Sequence, residues 1–329
     1  MVNWLNGLLY GVGGLAATCL LLLVTLQEKL VYVPVIPGMS KGYPITPARL
    51  RLKYEDIWLT AEDGVRLHSW FIKYQPAVSG PTILFFQENA GNIAHRLEFV
   101  DLMLQKLHCN VFMLSYRGYG ASDGFPSQRG LTMDAQAALD YLWQRPDTDP
   151  TRVVVFGRSL GGAVGSALVA NNPGKVSALI IENTFTSILD MAGVMLPVLK
   201  YVIGGTGSPG LRILNFLVRS PWNTIDLVGK VKNPILFLSG LRDEMIPPSH
   251  MRKLFAAAHS NADRQLIEFP TGMHMDTWLR GGDRYWRVLQ LFLEKHAGDR
   301  RENGSENNEF SLDSALTEDR IQNPEQPRM

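Results

Sequence analysis

Two cysteines in 329 residues, Cys19 and Cys109, leave almost nothing from which to build a disulfide framework. Cys19 falls in an apolar run and Cys109 opens a segment that reads as a buried strand, so the fold needs no oxidising compartment. Charge of one sign is also lacking: 32 Lys and Arg against 31 Asp and Glu give a net charge of +1. Nucleic-acid binding leaves a basic footprint, and this balance carries none. No internal repeat is evident. The chain shows no cluster of metal-ligating residues and no credible cofactor fingerprint, so neither a metal nor a cofactor is expected. Gly11-Val12-Gly13-Gly14-Leu15-Ala16 spells a dinucleotide-type loop, but no strand precedes it and the surroundings suit lipid.

Charged side chains are absent before Glu28, and the run from Leu5 to Leu26 is apolar or small throughout. At 1.5 Å per residue, about 20 such residues match a hydrocarbon core of roughly 30 Å. A cleaved signal peptide would have a basic start and a shorter apolar stretch, and neither is present. Residues 1–28 are therefore expected to form one transmembrane anchor, in a plasma or endoplasmic reticulum membrane. Lys29, Lys41 and Arg49 follow it, so the positive-inside rule places the remaining chain in the cytosol. Prolines 34, 37, 44 and 47 mark residues 29–53 as an extended linker that holds the domain off the bilayer. Residues 297–329 are rich in Asn, Glu, Asp, Arg and Ser with a single aromatic, too polar to offset their ordering entropy. They are expected to be disordered.

What is there, between residues 54 and 296, alternates. Tyr54–Thr60 and Val65–Tyr74 read as an antiparallel pair joined by Glu62-Asp63-Gly64. Thr82–Phe86, Asn110–Tyr116, Arg152–Gly157, Val176–Ile181, Ile235–Ser239 and Arg264–Phe269 are short and almost wholly apolar, the mark of strands covered on both faces. Helices are expected at Ile93–Leu107, Leu131–Gln144, Leu160–Asn171, Pro248–Ala258 and Asp276–His296. The alternation implies an α/β fold, a doubly wound and mostly parallel sheet. One connection, residues 187–231, is far too long for a simple turn, and insertions of that size are usually functional. It reads as a small helical cap over the strand ends, with helices that only extend the core as the alternative.

Gly157-Arg158-Ser159-Leu160-Gly161-Gly162 directly follows the strand Val153–Phe156 and opens a helix. A nucleophile elbow needs a turn this sharp, with small residues that let strand and helix backbones approach. A serine hydroxyl attacks only when a neighbouring base takes its proton. Of seven histidines, His274 alone follows the last strand, where a loop can reach the elbow. The others, at 68, 95, 108, 250, 259 and 296, read as bystanders in strands or on solvated helices. Asp243 follows the penultimate strand and is placed to hold the imidazole tautomer. Glu244 competes closely for that role and Glu182 more distantly. The backbone N–H of Leu160 and one near Asn89 are the candidate oxyanion donors.

Five stretches make the likeness specific: Asn89-Ala90-Gly91-Asn92-Ile93-Ala94-His95-Arg96, Tyr116-Arg117-Gly118-Tyr119-Gly120, Phe156 to Ala163, Glu182-Asn183-Thr184-Phe185, and Asp276-Thr277-Trp278. On these the chain resembles the membrane-anchored α/β-hydrolase-domain family. It is most similar to the plant Wavy Growth type, which the span and Gln27 to Pro34 also resemble. The resemblance implies the α/β-hydrolase fold, a triad of Ser159, Asp243 and His274, membrane attachment and, in the plant case, a link to root growth responses. An acyl ester or thioester substrate, lipid or lipidated, is the expected partner besides the bilayer. One departure stands out. The family usually carries His-Gly before Asn-Ala-Gly-Asn, and this chain has Gln87-Glu88. A lost oxyanion donor removes about 3–4 kcal/mol of transition-state stabilisation, and an inward Glu88 would place negative charge where more develops. A weakly active or non-catalytic tethered signalling protein is therefore the rival expectation.

Overall fold

The computed structural model describes residues 2–75, 80–201, 203–204, 215–259, 261 and 263–298. Of the expected disordered tail, residues 299–329 lie outside these residues, as do 202 and 205–214 of the expected cap.

The chain opens on helix α1 (Val2–Val31). One helix among the described residues is long and apolar enough to cross a membrane, by length and composition: the 26 residues Asn6–Val31 of α1, with mean hydropathy 2.1 in their most apolar stretch. Then follow β1 (Lys53–Thr60), β2 (Arg66–Lys73), β3 (Thr82–Phe86), α2 (Leu97–Leu107), β4 (Asn110–Leu114), α3 (Gln128–Gln144), β5 (Val153–Arg158), α4 (Leu160–Asn171) and β6 (Ala178–Glu182). After these come α5 (Ile188–Met195), α6 (Thr224–Val228), β7 (Ile235–Gly240), α7 (Ser249–Ala257), β8 (Arg264–Phe269), α8 (Thr277–Arg280) and α9 (Gly282–Ala297). The eight strands form one sheet in the order β1-β2-β4-β3-β5-β6-β7-β8. β2 pairs antiparallel with β1 and β4, and every later pairing is parallel.

Strand ends match the apolar runs read from sequence to within two residues, because burial on both faces is what makes those runs apolar. Successive side chains of a strand point to opposite faces. Leu84, Phe86, Val153 and Val155 accordingly join one core with α3, α4 and α7, while Ile83, Phe85, Val154 and Phe156 join the other with α2 and α9. The helix expected over 276–296 breaks at Gly281 and Gly282 into α8 and α9. The one expected from Ile93 begins as a 3-10 turn capped by Asn92.

The linker departs from expectation. The helix continues past residue 28 to Val31, and the chain after it lies against the domain instead of standing off. Val33 bridges to Ala90: its N–H donates to Asn89 O at 3.0 Å and its carbonyl accepts from Gly91 N at 3.0 Å. Tyr32 is buried, and its hydroxyl accepts from Trp222 Nε1 at 2.8 Å. Asn92 Nδ2 donates to the carbonyls of Lys41 and Gly42. Prolines remove N–H donors, which made the segment read as a spacer. Burial of Tyr32 and pairing of Val33 decide its course.

The insertion 187–231 divides. Ser187 caps α5 by accepting from Asp190 N at 3.0 Å, and α5 with the 3-10 turn Pro197–Tyr201 projects outward with several exposed apolar side chains. Trp222 and Val228, by contrast, are fully buried in the core that α4 shares. The later part of the insertion therefore extends the core, whereas its earlier part leaves apolar side chains exposed.

Candidate active site

Parallel strands end together, so the turns after β3, β5, β6, β7 and β8 gather at one edge of the sheet. At the end of β5, Ser159 stands at φ 54° and ψ −119°, a conformation costing a non-glycine residue about 1–3 kcal/mol. Close backbone approach on each side holds it there. A Cβ on Gly157 would lie 2.1 Å from Gly161 O, and one on Gly161 would lie 2.0 Å from Phe86 O. Ser159 N donates to Glu182 O at 2.9 Å, and Gly162 N returns to Ser159 O at 3.0 Å. The glycines read from sequence as elbow residues thus leave no room for any side chain.

His274 and Asp243 meet from the loops after β8 and β7. Asp243 Oδ2 accepts from His274 Nδ1 at 2.8 Å, with both side chains at most 3% exposed. Its other oxygen accepts from the backbone N–H groups of Met245 and Ile246, each at 2.8 Å. A carboxylate can only accept, so Nδ1 carries the proton and Nε2 keeps its lone pair. Glu244, the close competitor, accepts from the His274 backbone N–H at 3.1 Å and leaves the ring to Asp243. Glu182, the distant one, is bound to Arg158 and Tyr285. His250 is not a solvated bystander: it is buried, with Nδ1 2.9 Å from Thr186 Oγ1.

Among the described contacts, Ser159 Oγ and His274 Nε2 are not hydrogen-bonded to each other. Their loops are joined through Asn183, which sequence reading passed over as a catalytic support. It follows Glu182, the acceptor for Ser159 N, and adopts φ 48°, a region that asparagine tolerates better than most residues. Its Nδ2 donates to Met273 O and His274 O, each at 3.1 Å, and lies 2.9 Å from Thr277 Oγ1. Its Oδ1 accepts from Gly240 N at 2.8 Å. One amide therefore ties the imidazole loop to the ends of β6 and β7. Asn183→Ala should raise hydrogen exchange over residues 272–277 roughly ten- to hundredfold, as bonds worth about 1 kcal/mol each are lost. Unchanged exchange there would show the loop is held by other means.

The two turns that bear the candidate oxyanion donors, Leu160 and Asn89, lie in close backbone contact. Leu160 N–H lies in the first turn of α4, where a helix offers no acceptor of its own. Asn89 spends its carbonyl on Val33 N and on the Tyr119 hydroxyl at 2.7 Å, and its side chain on Val31 O at 3.1 Å. Its N–H has no acceptor among the described residues. The Gln87 carbonyl borders Gly161 so closely that the two turns share one wall.

The Glu88 carboxylate is taken up by two arginines. The φ of Glu88 is not positive, so the position makes no demand for glycine. The buried carboxylate pairs with Arg158 Nη1 at 3.1 Å and with Arg96 Nε. Arg158 also reaches Glu182 Oε2 at 3.0 Å, which takes the Tyr285 hydroxyl at 2.8 Å, and stacks 4.2 Å from the Phe99 ring. Burial opposes ionisation of Glu88, but Arg96 and Arg158 more than offset it, and its pKa lies below the ordinary 4.5. Burial pushes Glu182 up despite Arg158. Arg158, a member of the elbow itself, thus anchors the elbow to two neighbouring strands.

Comparison with known proteins gives the family. The prolyl oligopeptidase family matches residues 129–298, a span holding Ser159, Asp243 and His274. The chain is 66% identical over 302 residues to the "Alpha/beta hydrolase domain-containing protein WAV2" of Arabidopsis thaliana, covering 92% of this chain and 98% of that one. It is 41% identical over 290 residues to "Protein bem46" of Schizosaccharomyces pombe, covering 87% and 92%. A Saccharomyces cerevisiae protein named as an uncharacterized membrane protein is 35% identical over 286 residues, covering 85% and 94%. Among solved structures, the Pyrococcus furiosus esterase Pf2001 superposes with a TM-score of 0.63 at 20% identity over 82% of this chain and 98% of that one, a likeness of fold. With that identity to WAV2 and bem46 along nearly its whole length, the chain belongs to their α/β-hydrolase-domain family.

Proposed function

We propose that this protein is a membrane-anchored serine hydrolase that cleaves acyl esters or thioesters. The observation that carries the reading is the buried Asp243–His274 pair, joined through Asn183 to the turn whose apex is Ser159. Ser159 Oγ attacks the acyl carbonyl carbon while its proton passes to His274 Nε2. Asp243 stabilises the imidazolium and keeps the ring in register. The N–H groups of Leu160 and Asn89 receive the oxyanion. When the tetrahedral adduct collapses, His274 returns the proton to the leaving alkoxide or thiolate and an acyl-Ser159 remains. Water then repeats the sequence and releases the acid. Serine–imidazole contacts are often long in unliganded sites and tighten with substrate, so the open contact fits a resting site.

The reading of α1 as the anchor rests on its length and hydropathy, with Lys29, Lys41 and Arg49 favouring a cytosolic domain. Anchor and apolar cap together favour a lipid or lipidated substrate. The Glu88 carboxylate, which motivated a non-catalytic rival, is engaged by arginines. A shared acyl-enzyme supplies the test. Given a p-nitrophenyl ester and a thioester of one acyl group, with hydroxylamine present, full-length protein should yield the same hydroxamate-to-acid ratio from both. Different ratios, or no turnover of either, would remove the mechanism.

A further inference from the structure

Four apolar side chains of the insertion, Met195, Val198, Tyr201 and Phe216, are 75%, 72%, 59% and 81% exposed. They are not scattered. Gly204 N donates to Asn215 Oδ1 at 3.1 Å and Asn215 Nδ2 donates to Gly204 O at 2.8 Å, joining the arm that bears Tyr201 to the one that bears Phe216. The second arm is fastened to α1. Gln27 Nε2 donates to Leu217 O at 3.0 Å, and Gln27 Oε1 accepts from Arg219 N at 2.7 Å. Arg219 Nη2 donates to Val24 O at 2.9 Å, and Ser220 Oγ donates to the Glu28 carboxylate at 3.1 Å. Through these bonds the insertion sits level with residues 24–28 of the helix.

That level has a meaning if α1 spans a bilayer. The apolar stretch is 26 residues long, whereas a hydrocarbon core takes about 20. The surplus brings its final turns, with Gln27, Glu28 and Lys29, to the headgroup layer. Leu26 and Leu30, in the same turns of the helix, are exposed as well. Tyrosine suits that depth, and the Arg219 cation stands where headgroup phosphates lie. A face this apolar is rarely left to water.

We propose that the face bearing Met195, Val198, Tyr201 and Phe216 is a second membrane contact, seated in the headgroup–acyl boundary of the leaflet from which α1 emerges. The occupant is the lipid leaflet itself. The insertion leaves the sheet after β6, at the edge that carries Ser159, so seating it there brings that edge to the bilayer and lets an acyl chain approach without crossing water. This rests on the reading of α1 as an anchor and deepens it.

The test uses full-length protein in phosphatidylcholine nanodiscs that carry a doxyl quencher, either shallow or deep on the acyl chain. An NBD label goes on Cys19 in the native chain, or on Phe216→Cys, Val198→Cys or Gln144→Cys in a Cys19→Ala background; Cys109 is buried and stays unlabelled. Gln144 is an exposed control at the far end of α3, roughly 24 Å along that helix from Gln128 at 1.5 Å per residue, and Gln128 N bonds Ser220 Oγ. Labels at 198 and 216 should lose at least about half their emission to the shallow quencher, the Cys19 label to the deep one, and the label at 144 to neither. If Cys19 is quenched while 198 and 216 are not, the second contact is overturned and the anchor stands. A blue shift at 198 or 216 without lipid quenching shows a protein covering that face and equally overturns it. If Cys19 escapes the deep quencher, the anchor reading itself fails.

Discussion

Ser159→Ala is expected to lower kcat for acyl esters by a factor on the order of 10^4 to 10^6, with KM within about threefold. The size follows from the division of labour. In the proposed mechanism Asp243 and His274 move one proton, and without the hydroxyl that proton has no source. Donors at Leu160 and Asn89 would still favour a tetrahedral adduct, so a residue of catalysis over water should persist. Folding gives an independent check. Alanine fits wherever serine does, and Ser159 Oγ makes no hydrogen bond among the described contacts, so the melting temperature should not fall. A variant that loses activity together with its fold would say nothing of chemistry, whereas an active, folded Ser159→Ala would place the nucleophile elsewhere.

The second large effect concerns stability. Glu88→Gln leaves buried Arg158 with Glu182 as its remaining carboxylate, whose pKa burial has already raised, and leaves buried Arg96 with the Ala90 carbonyl and no carboxylate among the described ion pairs. Removing one partner from a buried ionic group costs about 3–5 kcal/mol. In a chain of this size that lowers the melting temperature by on the order of 10 °C. The pH dependence has a definite sign. Glu88 titrates below 4.5 in the folded state, so its contribution is fully present above the ordinary glutamate range and is lost as pH falls through the folded value. The gap between wild type and Glu88→Gln should be widest near about pH 7 and narrow as pH falls below the ordinary glutamate range, as followed by thermal melts. Glu88→Gly removes the same charge and should be no more active than wild type. A large rise in esterase rate on restoring glycine would instead mean that Glu88 handicaps the oxyanion site.

The elbow and its partners were legible in the sequence because their signals are local. Ser159 lies between a strand and a helix in a frame of glycines, and Asp243 and His274 each follow a strand whose apolar run is plain. The supports are not local. Nothing local says that Arg158, Arg96 and Glu88 pair with one another, and only the packing of β3, β5 and β6 brings them together in the core. Asn183 gave a faint signal, an asparagine directly after a strand, yet its partners at 240, 273 and 274 lie on other loops. The course of residues 29–53 was misread for a related reason. Proline announces what a segment cannot donate, whereas docking is decided by where Tyr32 finds Trp222, 190 positions away in sequence.

The most direct measurement is the mass of a covalent adduct. A fluorophosphonate probe incubated with full-length protein, followed by trypsin, should add one probe mass to the peptide Ser159–Lys175. Fragmentation should place it on Ser159 and not on Ser166, which is fully buried and donates to Gly162 O. The label should vanish in Ser159→Ala. Absence of an adduct on folded wild type, or one that persists in Ser159→Ala, would contradict the assignment of Ser159 as an activated nucleophile.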